Sequence, residues 1–186
     1  MQGSVFRKFW ELTWAFSLFL VIALVISRTP PWHWTHHLIG KGPDPSLFIW
    51  FLGWWPHAVS RGLNPLTTSL IWSPPGINLA WTTSVPGLAI PLWPITYTLG
   101  LVASYNLAIV LGLTVSALMM FVLVRAITGA VWPSLVSGYL YAFSPFFLGH
   151  LSGGHLNWMW GPVLPFMLWV AWQRFHNRFS SRLTKY

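Results

Sequence analysis

The chain has 186 residues, 55% of them apolar and only 6% charged, and ten Lys and Arg against two acids give a formal net charge of +8. A water-soluble domain carries charge on roughly a quarter of its residues, so that class is excluded, and the basic residues cluster at the ends of apolar blocks, which excludes a nucleic-acid binder. There is no cysteine, which removes disulfides, thiol catalysis and Cys-based metal sites.

In chain order, Arg7 and Lys8 precede an apolar stretch from Trp10 to Ser27, closed by Arg28. A cleaved signal peptide has a similar outline, but no small-x-small site stands before Arg28, and the stretch reads as an uncleaved signal-anchor helix over residues 10–27. Residues 28–100 hold most of the prolines, among them Pro30, Pro31, Pro43, Pro45, Pro56, Pro65, Pro74 and Pro75. They read as a long external loop. Inside it, Leu47 to Gly62 is expected to form a short interfacial helix, kinked at Pro56 and stopped at Gly62. Val85 to Leu99 carries Pro86, Pro91 and Pro94 and is too short and broken to span, so a re-entrant or interfacial piece is expected. Three further spans are expected over residues 103–124, 131–149 and 156–172. A basic tail, 174–186, follows a single membrane domain covering residues 1–173. The fold class is therefore all-α integral membrane, with about four transmembrane helices. Fifteen Trp, many flanking the apolar blocks (Trp10, Trp14, Trp32, Trp132, Trp158, Trp172), form the expected aromatic belt.

Positive charges set the expected orientation. With four spans, Arg7, Lys8, Arg125, Arg174, Arg178, Arg182 and Lys185 lie inside and only Arg28, Lys41 and Arg61 outside. If residues 85–99 also crossed, only Arg7 and Lys8 would remain inside. The positive-inside tendency favours four spans, both termini in the cytoplasm and a multi-pass cell-membrane location. Residues 28–100 and the short loop 150–157 then share the external face.

Asp44 in Gly42-Pro43-Asp44-Pro45-Ser46 is the only acid on that face. It can serve as a helix cap ahead of Pro45, or as a general base or metal ligand. In the second loop, His150, His155 and Asn157 stand among Gly149, Gly153 and Gly154, where the backbone can approach a ligand closely. Imidazoles facing Asp44 would suit a metal or phosphate, or would bond backbone groups near the glycines. His33, His36 and His37 have helical spacing for a metal but follow two prolines, and interfacial polar residues are the plainer account. Lys41, His57 and Arg61 could hold the phosphate of a lipid carrier, or simply meet headgroups. Arg125 and the tail read as topology signals. The sequence contains no P-loop, dinucleotide fingerprint, zinc-protease motif or nucleophile elbow and no ladder of intramembrane acids of the proton-coupled transporter kind. It names no cofactor.

Several stretches resemble the amino-terminal part of the GT-C class of polytopic membrane glycosyltransferases. GPDPSLFIWFLGWWPHAVSRGLNP (Gly42 to Pro65) and IWSPPGINLAWTTSVPGL (Ile71 to Leu88) resemble its first external loop. SYNL (Ser104 to Leu107) and LVRAITG (Leu123 to Gly129) resemble the two ends of its second span. YAFSPFFLGHLSGGHLN (Tyr141 to Asn157) resembles the third span with its external loop. Similar stretches occur in long bacterial membrane proteins of this class, so the resemblance implies a bacterial inner membrane. It also implies that Asp44 is the catalytic acid, deprotonating an acceptor hydroxyl or helping to bind metal beside a polyprenyl-phosphate sugar. Two departures accompany it: the second loop has no acid, and about four spans stand where the class has twice that number or more. The expected function is accordingly a non-catalytic GT-C-like scaffold subunit, with other membrane subunits and the bilayer as partners. The alternative is a glycosyltransferase, or a component of one, using a polyprenyl-phosphate donor.

Overall fold

The computed structural model describes the backbone of residues 2–183 and the side chains of residues 6–176; the tail cations Arg178, Arg182 and Lys185 lie outside the described side chains. The chain is mostly helical, at 72%, and divides into two compact units. Among the described residues, two helices are long and apolar enough to cross a membrane, over Phe6–Ser27 and Leu101–Thr128.

The first unit comprises residues 1–26, 110–148 and 159–186. Helix α1 (Gln2–Ser27) buries one stripe, Ala15, Phe19 and Ala23, at the four-residue spacing that keeps side chains on one helical face. Several of its large apolar side chains are exposed, among them Phe6, Trp10, Trp14, Val21 and, at 71%, Val25. Leu113, Ala117 and Phe121 of α5 (Leu101–Thr128) supply part of the core of this unit. A Cβ added at Gly138 of α6 (Val131–Ala142) would stand 2.6 Å from Phe19 Cζ and 2.7 Å from the Ala117 carbonyl oxygen. Glycine is required there because three helices meet at that point.

The apolar stretches over 131–149 and 156–172 are each divided. The first becomes α6 and α7 (Pro145–Gly153), separated at Phe143-Ser144. The residue before a proline disfavours the helical conformation, and Pro145 enforces the break. The second becomes the short α8 (Leu156–Met159) and α9 (Val163–Leu183), with Trp160-Gly161-Pro162 between them. The exposed backbone of that break is bonded by side chains. Gly161 N–H donates to Ser116 Oγ at 3.0 Å, and the Gly161 carbonyl accepts from the Tyr141 hydroxyl at 2.6 Å. A helix can be interrupted inside an apolar layer only where such partners exist.

The second unit comprises residues 27–109 and 149–158. Its main element is α2 (Asp44–Ser60), which runs through Pro56 and ends ahead of Gly62 at φ +66°. Phe48, Phe51, Leu52 and Ala58 of α2 are buried. The stretch after residue 85 folds into two short helices, α3 (Pro86–Ala89) and α4 (Trp93–Leu99), both packed against α2. A small antiparallel ribbon pairs β1 (Thr67–Thr68) with β2 (Ile77–Asn78), Thr67 opposite Asn78 and Thr68 opposite Ile77.

Candidate functional site

Asp44 is flanked by two prolines whose rings hold φ near the helical value, so α2 begins there. The helix starts one residue earlier than a capping role for Asp44 requires. Pro43 is the capping residue and brings no side-chain acceptor, while Asp44 occupies the first helical position. The capping account is therefore replaced by a different contact. Asp44 Oδ2 lies 3.3 Å from His155 Nε2, with 39% and 36% of the two side chains exposed. A carboxylate in the first turn is also stabilised by the helix dipole.

The two loops are held together by their backbones. Lys41 N–H donates to the Ser152 carbonyl at 2.8 Å. Gly40, at φ +89°, and Gly154, at φ +70°, approach so closely that a Cβ on Gly40 would lie 2.5 Å from Gly154 Cα. A Cβ on Gly154 would run into Pro45 and stand 2.7 Å from the Tyr105 hydroxyl. Glycine is therefore required at Gly154, while an added Cβ at Gly153 would meet the His155 ring at 2.9 Å and one at Gly149 would meet nothing within 4 Å.

Ser104, Tyr105 and Asn106, at the start of α5, are fully buried polar residues. The Tyr105 hydroxyl lies 2.9 Å from the Gly154 carbonyl oxygen and 3.1 Å from that of Ile39. Asn106 accepts from Ile39 N–H at 2.9 Å and donates to the carbonyls of His37, at 2.7 Å, and Trp34, at 3.2 Å. One side chain thus satisfies three backbone groups that would otherwise be buried without partners. These two residues position Asp44 and His155 through the loops that carry them. The motif reading did not give them this role; the available signal was a polar pair inside an otherwise apolar block.

His150 continues the line. Its Nδ1 lies 2.7 Å from Nδ1 of His155, and its ring stacks on Trp158 with centroids 5.2 Å apart and an 18° interplanar angle. Two ring nitrogens at that distance share one proton, with one donating and the other accepting. The Asp44 carboxylate favours a proton on His155 Nε2, leaving Nδ1 of a neutral His155 as the acceptor and His150 Nδ1–H as the donor. The result is a carboxylate–imidazole–imidazole row able to take a proton and redistribute it.

Of the remaining candidates, His57 and Arg61 lie away from this row. Lys41 is exposed, three residues before Asp44. His57 and Arg61 lie at the other end of α2, about 20 and 25 Å from Asp44 at 1.5 Å per residue. His57 instead closes a ladder of stacked rings, Trp50 on Trp54 at 5.4 Å and Trp54 on His57 at 5.8 Å. It lines a cavity of about 660 Å³ with Trp54, Asn64, Thr68 and Asn78. Asn157 is half-buried in α8. His33 and His37 meet edge to face at 5.2 Å, yet among the described residues no group of three or more His, Asp or Glu is placed to hold a metal ion.

Comparison with protein-family models, with curated proteins and with solved structures gave no match. The site's chemistry is therefore read from its own geometry.

Proposed function

We propose that the chain is a multi-pass membrane protein of the GT-C type, acting as a glycosyltransferase or a component of one. In this reading it transfers a sugar from a polyprenyl-phosphate donor on the external face. The observation that carries the reading is the row Asp44–His155–His150, in which the lone acid of the first external loop meets the histidines of the second. Asp44 accepts the proton of an acceptor hydroxyl as its oxygen bonds to the anomeric carbon. The bond from that carbon to the phosphate oxygen breaks, and polyprenyl phosphate leaves with the electron pair. His155 orients the carboxylate, and His150 extends the path for the proton.

Membrane insertion is supported by the two long apolar helices and by the exposed apolar side chains of α1 and α9, such as Val25, Leu164 and Met167. Such surfaces are stable against lipid and unfavourable in water. In the four-span topology, α6 with α7 and α8 with α9 form the third and fourth crossings as broken helices, which the side-chain bonds to Gly161 make tolerable. With Arg7, Lys8 and Arg125 inside, both termini are cytoplasmic.

The second reading is a non-catalytic scaffold subunit in a larger membrane assembly. Its specific support is the set of outward aromatic rings, Trp81 at 88%, Tyr97 at 86% and Trp32 at 78% exposure, which suit packing against other subunits.

Native mass spectrometry after extraction in a mild detergent separates the two. The transferase reading predicts a lone chain or a homo-oligomer carrying a polyprenyl-phosphate mass, and sugar transfer in vesicles that Asp44→Asn abolishes. A stable complex with other subunits, with no transfer and no lipid carrier, would establish the scaffold instead.

A further inference from the structure

The chain's other acid, Glu11, leads to a second site. In the first unit, a cavity of about 490 Å³ is walled by α1, α5 and α9. Its lining combines apolar Leu12, Phe121, Val122 and Trp169 with charged Arg7, Lys8, Glu11 and Arg125. Glu11 Oε2 receives Arg125 Nε and Nη2, both at 2.9 Å, and its Oε1 lies 3.5 Å from Arg7 Nε. The third nitrogen of the Arg125 guanidinium, Nη1, bonds the Gly129 carbonyl. Both members of the central pair are largely covered, with 18% of the Glu11 and 22% of the Arg125 side chain exposed.

One carboxylate therefore faces three cations. Arg125 is fully committed to protein acceptors, whereas Arg7 is 74% exposed and Lys8 is exposed without a protein partner among the described residues. The cavity mouth keeps an excess charge of about +2, counting Arg7, Lys8 and Arg125 against Glu11. A lining that is both apolar and net cationic matches a molecule with an anionic head and an apolar chain. We propose that this cavity is a binding site for an anionic phospholipid of the cytoplasmic leaflet. Its phosphate lies between Arg7 and Lys8, and an acyl chain lies along Leu12, Phe121 and Val122. The Glu11–Arg125 pair braces α1 against α5 and so fixes the helix that carries both outer cations. This site rests on the membrane reading above and is independent of the sugar-transfer reading.

The test uses the full chain in vesicles of equimolar phosphatidylcholine and phosphatidylglycerol, released gently and weighed by native mass spectrometry. The wild-type chain retains phosphatidylglycerol in preference to phosphatidylcholine. Arg7→Gln with Lys8→Gln lowers that retention about tenfold or more, while Arg174→Gln, an equal cation of the same topological side that does not line the cavity, leaves it unchanged. Ala126→Phe, which fills the cavity without altering charge, also lowers it. Equal loss in the Arg174 variant overturns the proposal, because diffuse attraction of a basic surface would then suffice. So does undiminished retention in Ala126→Phe, or displacement by free glycerol phosphate as effective as by the lipid. A chain that fails to float with vesicles would instead overturn the membrane reading itself, a result distinguishable from loss of lipid preference in a chain that floats.

Discussion

Glu11 and Asp44, the two acids of the sequence, are placed in opposite circumstances. Glu11 is held by a guanidinium through two contacts and has a second arginine beside it. Asp44 stands at the start of a helix, over a third exposed, with an imidazole at 3.3 Å. A guanidinium stays charged at every accessible pH and holds its partner as a fixed anion. An imidazole meets the carboxylate through a single ring nitrogen. The difference lies in the partner: arginine makes a covered brace, and histidine leaves the carboxylate over a third exposed.

Exchanging each acid for its amide sharpens that contrast, and the largest effect is expected at Asp44. Asp44→Asn should reduce sugar transfer by about 10²–10⁴-fold with the melting temperature nearly unchanged, read from labelled-sugar transfer and a thermal melt on one preparation. Comparable loss of folding would make Asp44 a structural residue. Glu11→Gln should behave in the reverse sense, destabilising the protein by about 1–3 kcal/mol because Arg125 loses its charged partner while largely covered. Denaturation in detergent measures this, and an unchanged midpoint would show the brace to be dispensable.

Smaller effects are expected from the residues that position the row. Tyr105→Phe leaves the carbonyls of Gly154 and Ile39 without the hydroxyl that serves them, and about 1–2 kcal/mol of stability should be lost. Transfer should fall as the second loop loosens, and rescue by a longer incubation at low temperature would separate looseness from lost chemistry. Arg61→Ala, at the far end of α2, should change stability by less than about 0.5 kcal/mol and leave the chemical step alone. A fall in kcat at unchanged donor binding would mean that Arg61 reaches the reacting atoms after all.

Much of the candidate site is legible in the sequence, for identifiable reasons. Asp44, His150 and His155 stand out in the sequence as a lone acid between prolines and a histidine pair among glycines in an apolar chain, and the structure brings them into contact. The separation of His57 and Arg61 from Asp44 was also available, because a helix of 17 residues has a fixed length. Tyr105 and Asn106 were hidden, since their partners lie 49 to 72 residues away in sequence and no local pattern encodes that. The Glu11–Arg125 pair, 114 residues apart, was hidden for the same reason. The helix breaks at Ser144-Pro145 and Gly161-Pro162 carry local signals, but long apolar runs masked them.

The contact of Gly40 with Gly154 also has a consequence for motion. Because the two backbones touch with no side chain between them, neither loop can lift without carrying the other. The Lys41 amide, bonded to the Ser152 carbonyl, then reports on both loops at once. Its hydrogen-exchange rate should match that of the Gly154 amide, because the two loops open as a single unit. Asp44 and His155, carried by these two loops, therefore stay in contact as the unit moves.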